Sequence, residues 1–298
     1  MHTRAGAGVV YAALAFTWWG LFPLYFRIVT TVSPAEVLAQ RVLWCLVFLA
    51  GVLTWRRQWA WLVPVLRQPK VLGAFTASAL LIGANWLTYI WSVSHGRVLD
   101  ASLGYFITPF VNGLLGYTLL HERPRRVQWL ALAIAACGVL WLTLQAGQLP
   151  WIALVLAVSF GSYGLLRKVA TLGALEGLTL ETLILAPLAL CAVVFWSWRG
   201  TGSFPSAELT TNLWLIAFGP ITAVPLLLFA AGARRISMTT LGLLQYIGPT
   251  IQIGVGVWAF GERFTAARLV GFGCIWLALV LYSIDGWRVA RQSIPAPT

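Results

Sequence analysis

Two charged residues of opposite sign occupy matching places in two strongly apolar segments. Arg41 lies in "AEVLAQRVLWCLVFLAG" (35–51), and Glu181 lies in "LETLILAP" (180–187), 140 residues later. If these segments cross a membrane, each buried charge costs about 2.5–3.5 kcal/mol on insertion scales, so both residues are candidates for function. The chemistry that suits them is ion pairing and, for Glu181, proton binding.

Further charged residues flank these two and predict a gate at each end of a pathway. On one side we predict Arg27, Glu36, Arg41 and Asp100, and on the other Arg167, Lys168, Glu176 and Glu181. Ion pairs at one mouth would close it while the other mouth is open. Because Arg41 and Glu181 fall near opposite ends, we do not expect them to pair directly. An alternative stays open, in which both side chains snorkel to the membrane interface.

Polar and aromatic residues between these ends predict the walls of a cavity. In the third apolar segment Asn85, Thr88, Tyr89 and Ser92 share one helical face, which would be unsatisfied in lipid. We predict substrate-binding residues at Trp18, Asn85, Trp86, Tyr89, Tyr105, Asn112, Gln245 and Tyr246. Pro109 and Pro249 are predicted to break their helices beside the site. The alternative is that the amides and hydroxyls only join helices to one another.

The elements that must position these residues are membrane-spanning helices. Of the residues 60% are hydrophobic and 9% charged, with a mean hydropathy of +0.84, against roughly 25% charged in soluble domains. Segments of about 20 apolar residues cross a bilayer as helices. Ten are predicted, at 8–30, 36–54, 71–93, 101–120, 128–146, 150–166, 177–198, 212–232, 238–260 and 269–285.

The formal charge of +12 follows from topology rather than from a nucleic-acid partner. With alternating loops, fourteen of the twenty basic residues fall on the side of the amino terminus and four on the other, while Arg27 and Arg41 lie within spans. Basic residues concentrate in cytoplasmic loops. We therefore expect both termini in the cytoplasm and membrane lipids as the surrounding partner.

The chain also contains an internal duplication. The stretch "LGYFITPFVNGLLGYTLLHER" (103–123) is similar to "LGLLQYIGPTIQIGVGVWAFGER" (241–263), and Pro109 and Pro249 are 140 residues apart, as are Arg41 and Glu181. Self-similarity of this kind indicates a duplicated unit. The predicted fold is all-α and polytopic, with five-helix repeats at 8–146 and 150–285. Five spans per unit invert the second repeat, as in many secondary transporters.

Several stretches together resemble a known family. They are "EVLAQRVLW", "GANWLTYIWSV", "ASLGYFITPFVN", "SYGLLRK", "LETLILAP", "VPLLLF" and "LGLLQYIGPT". They are similar to the RarD branch of the drug/metabolite transporter superfamily, the EamA-type ten-span carriers. The resemblance implies two inverted EamA repeats, alternating access and a place in the bacterial inner membrane. Arg41, Asn85, Trp86, Tyr105, Glu181, Gln245 and Tyr246 occupy the signature stretches, and Arg27 stands where other members can have Lys.

These observations predict a secondary transporter for a small metabolite or drug-like molecule, without cofactor or metal. Proton coupling, with Glu181 as the titrating group, and facilitated diffusion both stay open. The alternatives are a channel, which lacks counterflow, and a membrane protein with no transport role. A membrane enzyme is disfavoured because the sequence has no HExxH motif, no Ser/His/Asp set and no phosphate-binding Gly loop with Lys.

Overall fold

A computed structural model describes residues 2–26, 32–95, 98–146, 151–205, 208–260 and 266–292, and within these residues the regular structure is helical. The helices are α1 His2–Gly20, α2 Phe22–Phe26, α3 Pro34–Trp55, α4 Leu62–Leu66, α5 Pro69–Ser94, α6 Val98–Leu119, α7 Arg126–Ala146, α8 Trp151–Val169, α9 Ala174–Arg199, α10 Leu209–Ala233, α11 Met238–Gln245, α12 Ile247–Phe260 and α13 Ala266–Gln292. Helices therefore lie over the described part of every predicted apolar segment.

The described residues contain seven helices that are long and apolar enough to cross a membrane. Large apolar side chains stay on the outside of the bundle, such as Leu188, which is 75% exposed. Exposed tryptophans stand at helix ends, among them Trp55 at the end of α3 and Trp198 near the end of α9. An apolar surface with tryptophans at its borders matches a bilayer and its interfaces. The protein is an integral membrane protein.

Local signals set where several helices begin and end. Ser33 precedes α3 and accepts the Glu36 backbone N–H at 3.3 Å, with Pro34 in the first turn. Ser237 caps α11 in the same way, accepting from the Thr240 N–H at 3.1 Å. Helix α9 ends at Arg199 and is followed by Gly200, whose φ of 67° is left-handed and favours glycine. These caps satisfy backbone groups that the helices leave free.

The helices pack in a pattern that repeats between the two halves of the chain. Helix α3 lies against α9 and α10, α6 lies against α8 and α11, and α7 lies against α13. If α1 is exchanged with α8, α3 with α9, α5 with α10, α6 with α11–α12 and α7 with α13, the largest contacts map onto one another or onto themselves. The α3–α10 contact, for example, maps onto α9–α5, and α1–α10 maps onto α8–α5.

The two prolines do not interrupt their helices alike, and the prediction of a break at Pro109 is wrong. Helix α6 continues through Pro109 to Leu119, because a single missing N–H leaves the neighbouring turns paired and packed. The other helix is interrupted at Tyr246, between α11 and α12, and Pro249 follows as the third residue of α12. The first turn of a helix leaves its backbone N–H groups without intrahelical partners, so a proline in the first turn of α12 removes no helical hydrogen bond.

Candidate functional site

A cavity lies among the helices of both halves of the chain. It is partly open to solvent and is lined by Phe16, Trp19, Phe22, Arg41, Asn85, Trp86, Tyr89, Tyr105, Phe160, Gln245, Gly248, Pro249 and Gln252. Asn85 and Tyr89 come from the last turns of α5, and Arg41 from the second turn of α3. The cavity therefore lies toward the end of the bundle where α5 connects to α6.

Arg41 is buried in the cavity wall and is only 3% exposed. Its Nε donates to Thr222 Oγ1 at 2.8 Å, and its Cζ lies 4.2 Å from the ring centroid of Trp86. A snorkelling side chain would extend along the outside of the bundle to the interface, so the snorkelling alternative is wrong for Arg41. The guanidinium is stabilised by a hydroxyl and an aromatic face.

Two amide side chains, Asn85 and Gln245, line the same cavity. They differ in whether their N–H groups have hydrogen-bond partners. Asn85 Nδ2 donates to the Leu156 carbonyl at 3.0 Å and to Ser159 Oγ at 2.9 Å, so this amide joins α5 to α8. Gln245 Oε1 accepts from Asn112 at 3.5 Å, whereas Gln245 Nε2 is buried and has no hydrogen-bond partner within the described chain. An unsatisfied buried donor in a cavity wall is available to a ligand.

Aromatic rings close the cavity toward the centre of the bundle. Trp19 contacts Phe160 edge-on, with ring centroids 5.5 Å apart, and Phe229 at 5.6 Å. Phe229 stacks in turn on Tyr163 at 6.0 Å. We call Trp19, Phe160, Phe229 and Tyr163 the aromatic floor. It separates the cavity from the second charged site.

That second site surrounds Glu181, which is 1% exposed and therefore does not snorkel either. Glu181 Oε1 accepts from Ser78 Oγ at 2.5 Å, and Oε2 accepts from the Tyr163 hydroxyl at 3.3 Å. Arg167 Nη1 lies 3.6 Å from Oε1, an ion pair too long to be a hydrogen bond. The structure thus brings together two of the residues predicted for this gate, and Arg41 lies elsewhere.

Arg167 is held in this site by backbone and aromatic contacts. Its Nη2 donates to the carbonyls of Gly173 and Ala174, at 3.3 and 3.0 Å, and its Cζ lies 5.6 Å from the Phe75 ring centroid. Its Nε and Nη1 have no hydrogen-bond partner within the described residues. A buried ion pair with spare donors is held less firmly than a bidentate pair.

Beside the ion pair, a second set of polar contacts links the same end of the bundle. Glu122 accepts the Met238 N–H at the start of α11, at 2.9 and 3.0 Å, and lies 3.5 Å from Lys168 Nζ. Lys168 also donates to the Ile236 carbonyl. These contacts connect α8 to the segment between α10 and α11.

At the opposite end, the predicted use of Glu36 in an ion-pair gate with Arg41 is not what the structure has. Glu36 Oε1 accepts the backbone N–H groups of Ser203 and Phe204, at 2.7 and 2.9 Å. No salt bridge to Glu36 or Arg41 occurs among the described residues. The predicted gate residue Arg27 and the side chain of Asp100 lie outside the described residues.

We expect Glu36→Ala to lower the free energy of unfolding by about 1–2 kcal/mol, because two backbone donors lose their acceptor. Glu36→Gln is the matched control, since its amide oxygen can accept the same bonds, and it should lose less than half as much. Thermal unfolding of the purified protein in detergent measures both. Equal losses in the two variants would contradict the anchoring role.

Three other predicted site residues lie away from the cavity wall. Trp18 is 41% exposed and its Nε1 donates to the Ile221 carbonyl, so its prediction as a substrate-binding residue is wrong in this structure. Asn112 is buried behind Gln245. Tyr246 is fully buried against Phe106, whose carbonyl accepts its hydroxyl at 3.3 Å, which is a packing position.

Sequence reasoning missed the residue that takes the place of Trp18. Trp19 lines the cavity together with Phe16 and Phe22. Phe16 and Trp19 are three residues apart and lie side by side on α1, and Phe22 follows three residues later at the start of α2. That aromatic stripe was the available signal, and Phe160 in α8 carried no comparable one.

Comparisons with known proteins agree with this architecture. Residues 6–144 match the model of the EamA-like transporter family. An uncharacterized transporter of Pseudomonas aeruginosa is 43% identical, with 97% of each chain covered. Protein RarD of Escherichia coli is 41% identical, covering 96% of this chain and 97% of its own. A crystal structure of a protein with 18% identity gives a TM-score of 0.72 and covers 95% of this chain and 99% of the other.

These similarities define the class of protein. The chain belongs to the EamA-like transporter family of the drug/metabolite transporter superfamily, and its relatives include proteins named RarD. Its partners are accordingly a small-molecule substrate and membrane lipids, and its place is a bacterial membrane.

Proposed function

We propose that the protein is a secondary transporter that moves a small metabolite or drug-like molecule across the bacterial inner membrane by alternating access. The observation that carries the proposal is the cavity around Arg41, Trp86 and Gln245, which is built by helices of both halves. A largely apolar cavity with a few placed polar groups is typical of small-molecule sites. Membership of the family supports the class of protein in this proposal, and the cavity supports the position of its binding site.

The architecture in this proposal is ten spans in two inverted five-helix repeats, at 8–146 and 150–285, with both termini in the cytoplasm. The symmetric helix packing supports it, as does the family match over 6–144, nearly the first repeat. Phe106 and Tyr246, which are 140 residues apart, stack with ring centroids 6.2 Å apart. Contact between equivalent residues is expected where a pseudo-two-fold axis passes.

In the proposed mechanism the Arg167–Glu181 pair and the Glu122–Lys168 contacts close one mouth. Breaking them would let α8 move away from α9 and from the segment between α10 and α11, and so open that mouth. The cavity is then exposed on the side of Arg41, which in this topology is the outer side.

Glu181 is the proposed proton-binding residue in a coupled form of the cycle. It is a buried carboxylate whose ion-pair partner is 3.6 Å away, so protonation would weaken that pair and favour opening. Glu181→Gln should then abolish uptake driven by a proton gradient while leaving exchange at equal pH. A facilitator would show no dependence on the gradient in either protein.

Counterflow in proteoliposomes tests the transporter proposal with Trp19→Ala and its neighbour Trp18→Ala as the matched pair. Trp19 is in the aromatic floor, so its truncation should lower the initial counterflow rate at least about tenfold, the order expected for loss of a ring contact of about 1.5 kcal/mol. Trp18→Ala should retain most of the rate, because Trp18 faces outward.

Saturable counterflow for a compound from a panel of acids, amines and neutral aromatics is the expected result. Flux that neither saturates nor shows counterflow would instead identify a channel, and flux in neither assay would contradict transport. Equal losses in the two tryptophan variants would move the site away from the cavity described above.

A further inference from the structure

The charge of the cavity indicates what kind of molecule fits it. Arg41 is the charged residue in the cavity wall, and no acidic residue lies among the lining residues described. In the described chain no carboxylate pairs with it, since the salt bridges there join Arg125 to Asp285, Arg167 to Glu181 and Lys168 to Glu122. The described wall therefore has a net positive charge.

The neutral contacts of Arg41 leave part of its binding capacity unused. Nε donates to Thr222, and one guanidinium face lies over Trp86. A guanidinium carries five N–H donors in a planar fork that matches a carboxylate. The two Nη groups have no acceptor among the described side chains and backbone. They form the part of Arg41 that a ligand can engage.

Keeping a cation in a membrane protein without a counter-charge is unfavourable, since burial removes its hydration. At the other end of the bundle the buried Arg167 has a counter-charge, because Glu181 lies beside it. Glu36, in the same helix as Arg41, does not do so, because its carboxylate binds the Ser203 and Phe204 N–H groups. Among the described residues no carboxylate takes this role, so a substrate can supply the counter-charge.

The remainder of the wall selects for a flat apolar body. Trp19, Phe16 and Phe160 form one side of the cavity, and Tyr89 and Tyr105, with ring centroids 5.9 Å apart, belong to another. Ring faces favour stacking with an aromatic or other planar group. A second negative charge on the ligand would find no second cation in the described wall.

Resting on the proposed transport function, we infer that the substrate is an organic monoanion, a carboxylate with a planar apolar body, whose carboxylate binds Arg41. Trp86 and Thr222 hold the guanidinium in place. The bound carboxylate supplies the missing counter-charge. The inference predicts that acids bind more tightly than the corresponding amides and amines.

Indole-3-acetate, indole-3-acetamide and tryptamine are suitable probes, because they share the indole ring and differ in the charge of the side chain. Their dissociation constants are measured by ligand-dependent thermal shift of the purified protein. We expect the acid to bind about ten- to a hundredfold more tightly than the amide, the range for a hydrogen bond to a charged group, and the amine to bind most weakly.

Arg41→Gln should raise the dissociation constant of the acid at least about tenfold and leave that of the amide unchanged. Arg41→Lys keeps the positive charge but lacks the planar guanidinium donors, so it should lose less affinity for the acid than Arg41→Gln. It also provides a test if Arg41→Gln does not fold. Arg199→Gln is the matched control, since Arg199 is exposed at the end of α9 and contacts Phe195.

Several outcomes would overturn the inference. They are equal binding of acid and amide, no binding of the acid to the folded protein, and unchanged acid binding in Arg41→Gln. If counterflow occurs with amines or neutral compounds but not with acids, the anion inference fails and the transporter proposal stands. If no compound of any charge gives counterflow, the transporter proposal fails as well.

Discussion

Replacing Glu181 with Leu is expected to lower the free energy of unfolding by about 3–5 kcal/mol, the range for breaking a buried ion pair from one side. The variant leaves Arg167 buried at 1% exposure with two backbone carbonyls and the Phe75 ring as partners. Arginine keeps its proton under all ordinary conditions. The uncompensated charge therefore stays in the bundle.

Arg167→Met should be milder than Glu181→Leu. The carboxyl group of Glu181 can take up a proton and become neutral, and the Ser78 and Tyr163 hydroxyls remain beside it. The double variant, Arg167→Met with Glu181→Leu, should recover most of the stability that Glu181→Leu loses, because it leaves no unpaired charge. We expect it to fold and to lose any dependence of uptake on a proton gradient.

Denaturant titration in detergent of the two single variants and the double variant gives the coupling energy of the pair. Glu176→Gln is the control, since Glu176 lies in the first turn of the same helix and is only partly buried. It should change stability by less than about 1 kcal/mol. Additive losses in the double variant would show that Arg167 and Glu181 are not coupled.

The helical segments were the most predictable part of the structure, because the surrounding solvent is the hydrocarbon of the lipid bilayer. In hydrocarbon a backbone must satisfy its own hydrogen bonds, so hydropathy alone locates the helices. The burial of Arg41, Asn85 and Glu181 follows from the same physics, because none of them is tolerated against lipid. Their roles in binding or gating remain predictions.

The orientation of a helix about its own axis was less predictable. Trp18 and Trp19 are neighbours in sequence, and a rotation of about 100° decides which one enters the cavity. That rotation depends on what α1 packs against, namely α10 and α12, which lie more than 180 residues away. The hydrogen-bond partners of Glu36 could not be predicted from the sequence either, since Ser203 and Phe204 lie in a loop after α9.

Gly219→Ala is expected to destabilise the protein by about 1–3 kcal/mol and to disturb the Arg41 site. Gly219 lies where α10 crosses α3, and a Cβ there would lie 2.7 Å from the Trp44 carbonyl carbon and 3.3 Å from the Cys45 nitrogen. These are backbone atoms, which cannot rotate away as a side chain would. The helices must separate, and overpacking of this kind costs about that much.

The separation would reach the cavity because Thr222 lies one turn from Gly219 in α10, and Arg41 lies one turn from Trp44 in α3. Their 2.8 Å hydrogen bond spans the same crossing. We therefore expect Gly219→Ala to slow counterflow at least about tenfold in addition to lowering stability, since misplacement of about 1 Å at a site has effects of that order or larger.

Gly51→Ala is the matched control, because Gly51 lies in α3 and a Cβ there meets no atom within 4 Å. It faces outward and should leave both stability and counterflow close to those of the unchanged protein. Thermal unfolding and initial counterflow rates compare the two glycine variants directly. If Gly219→Ala behaves like Gly51→Ala, the α3–α10 crossing has room that the structure does not show, and the coupling of this crossing to Arg41 would be wrong.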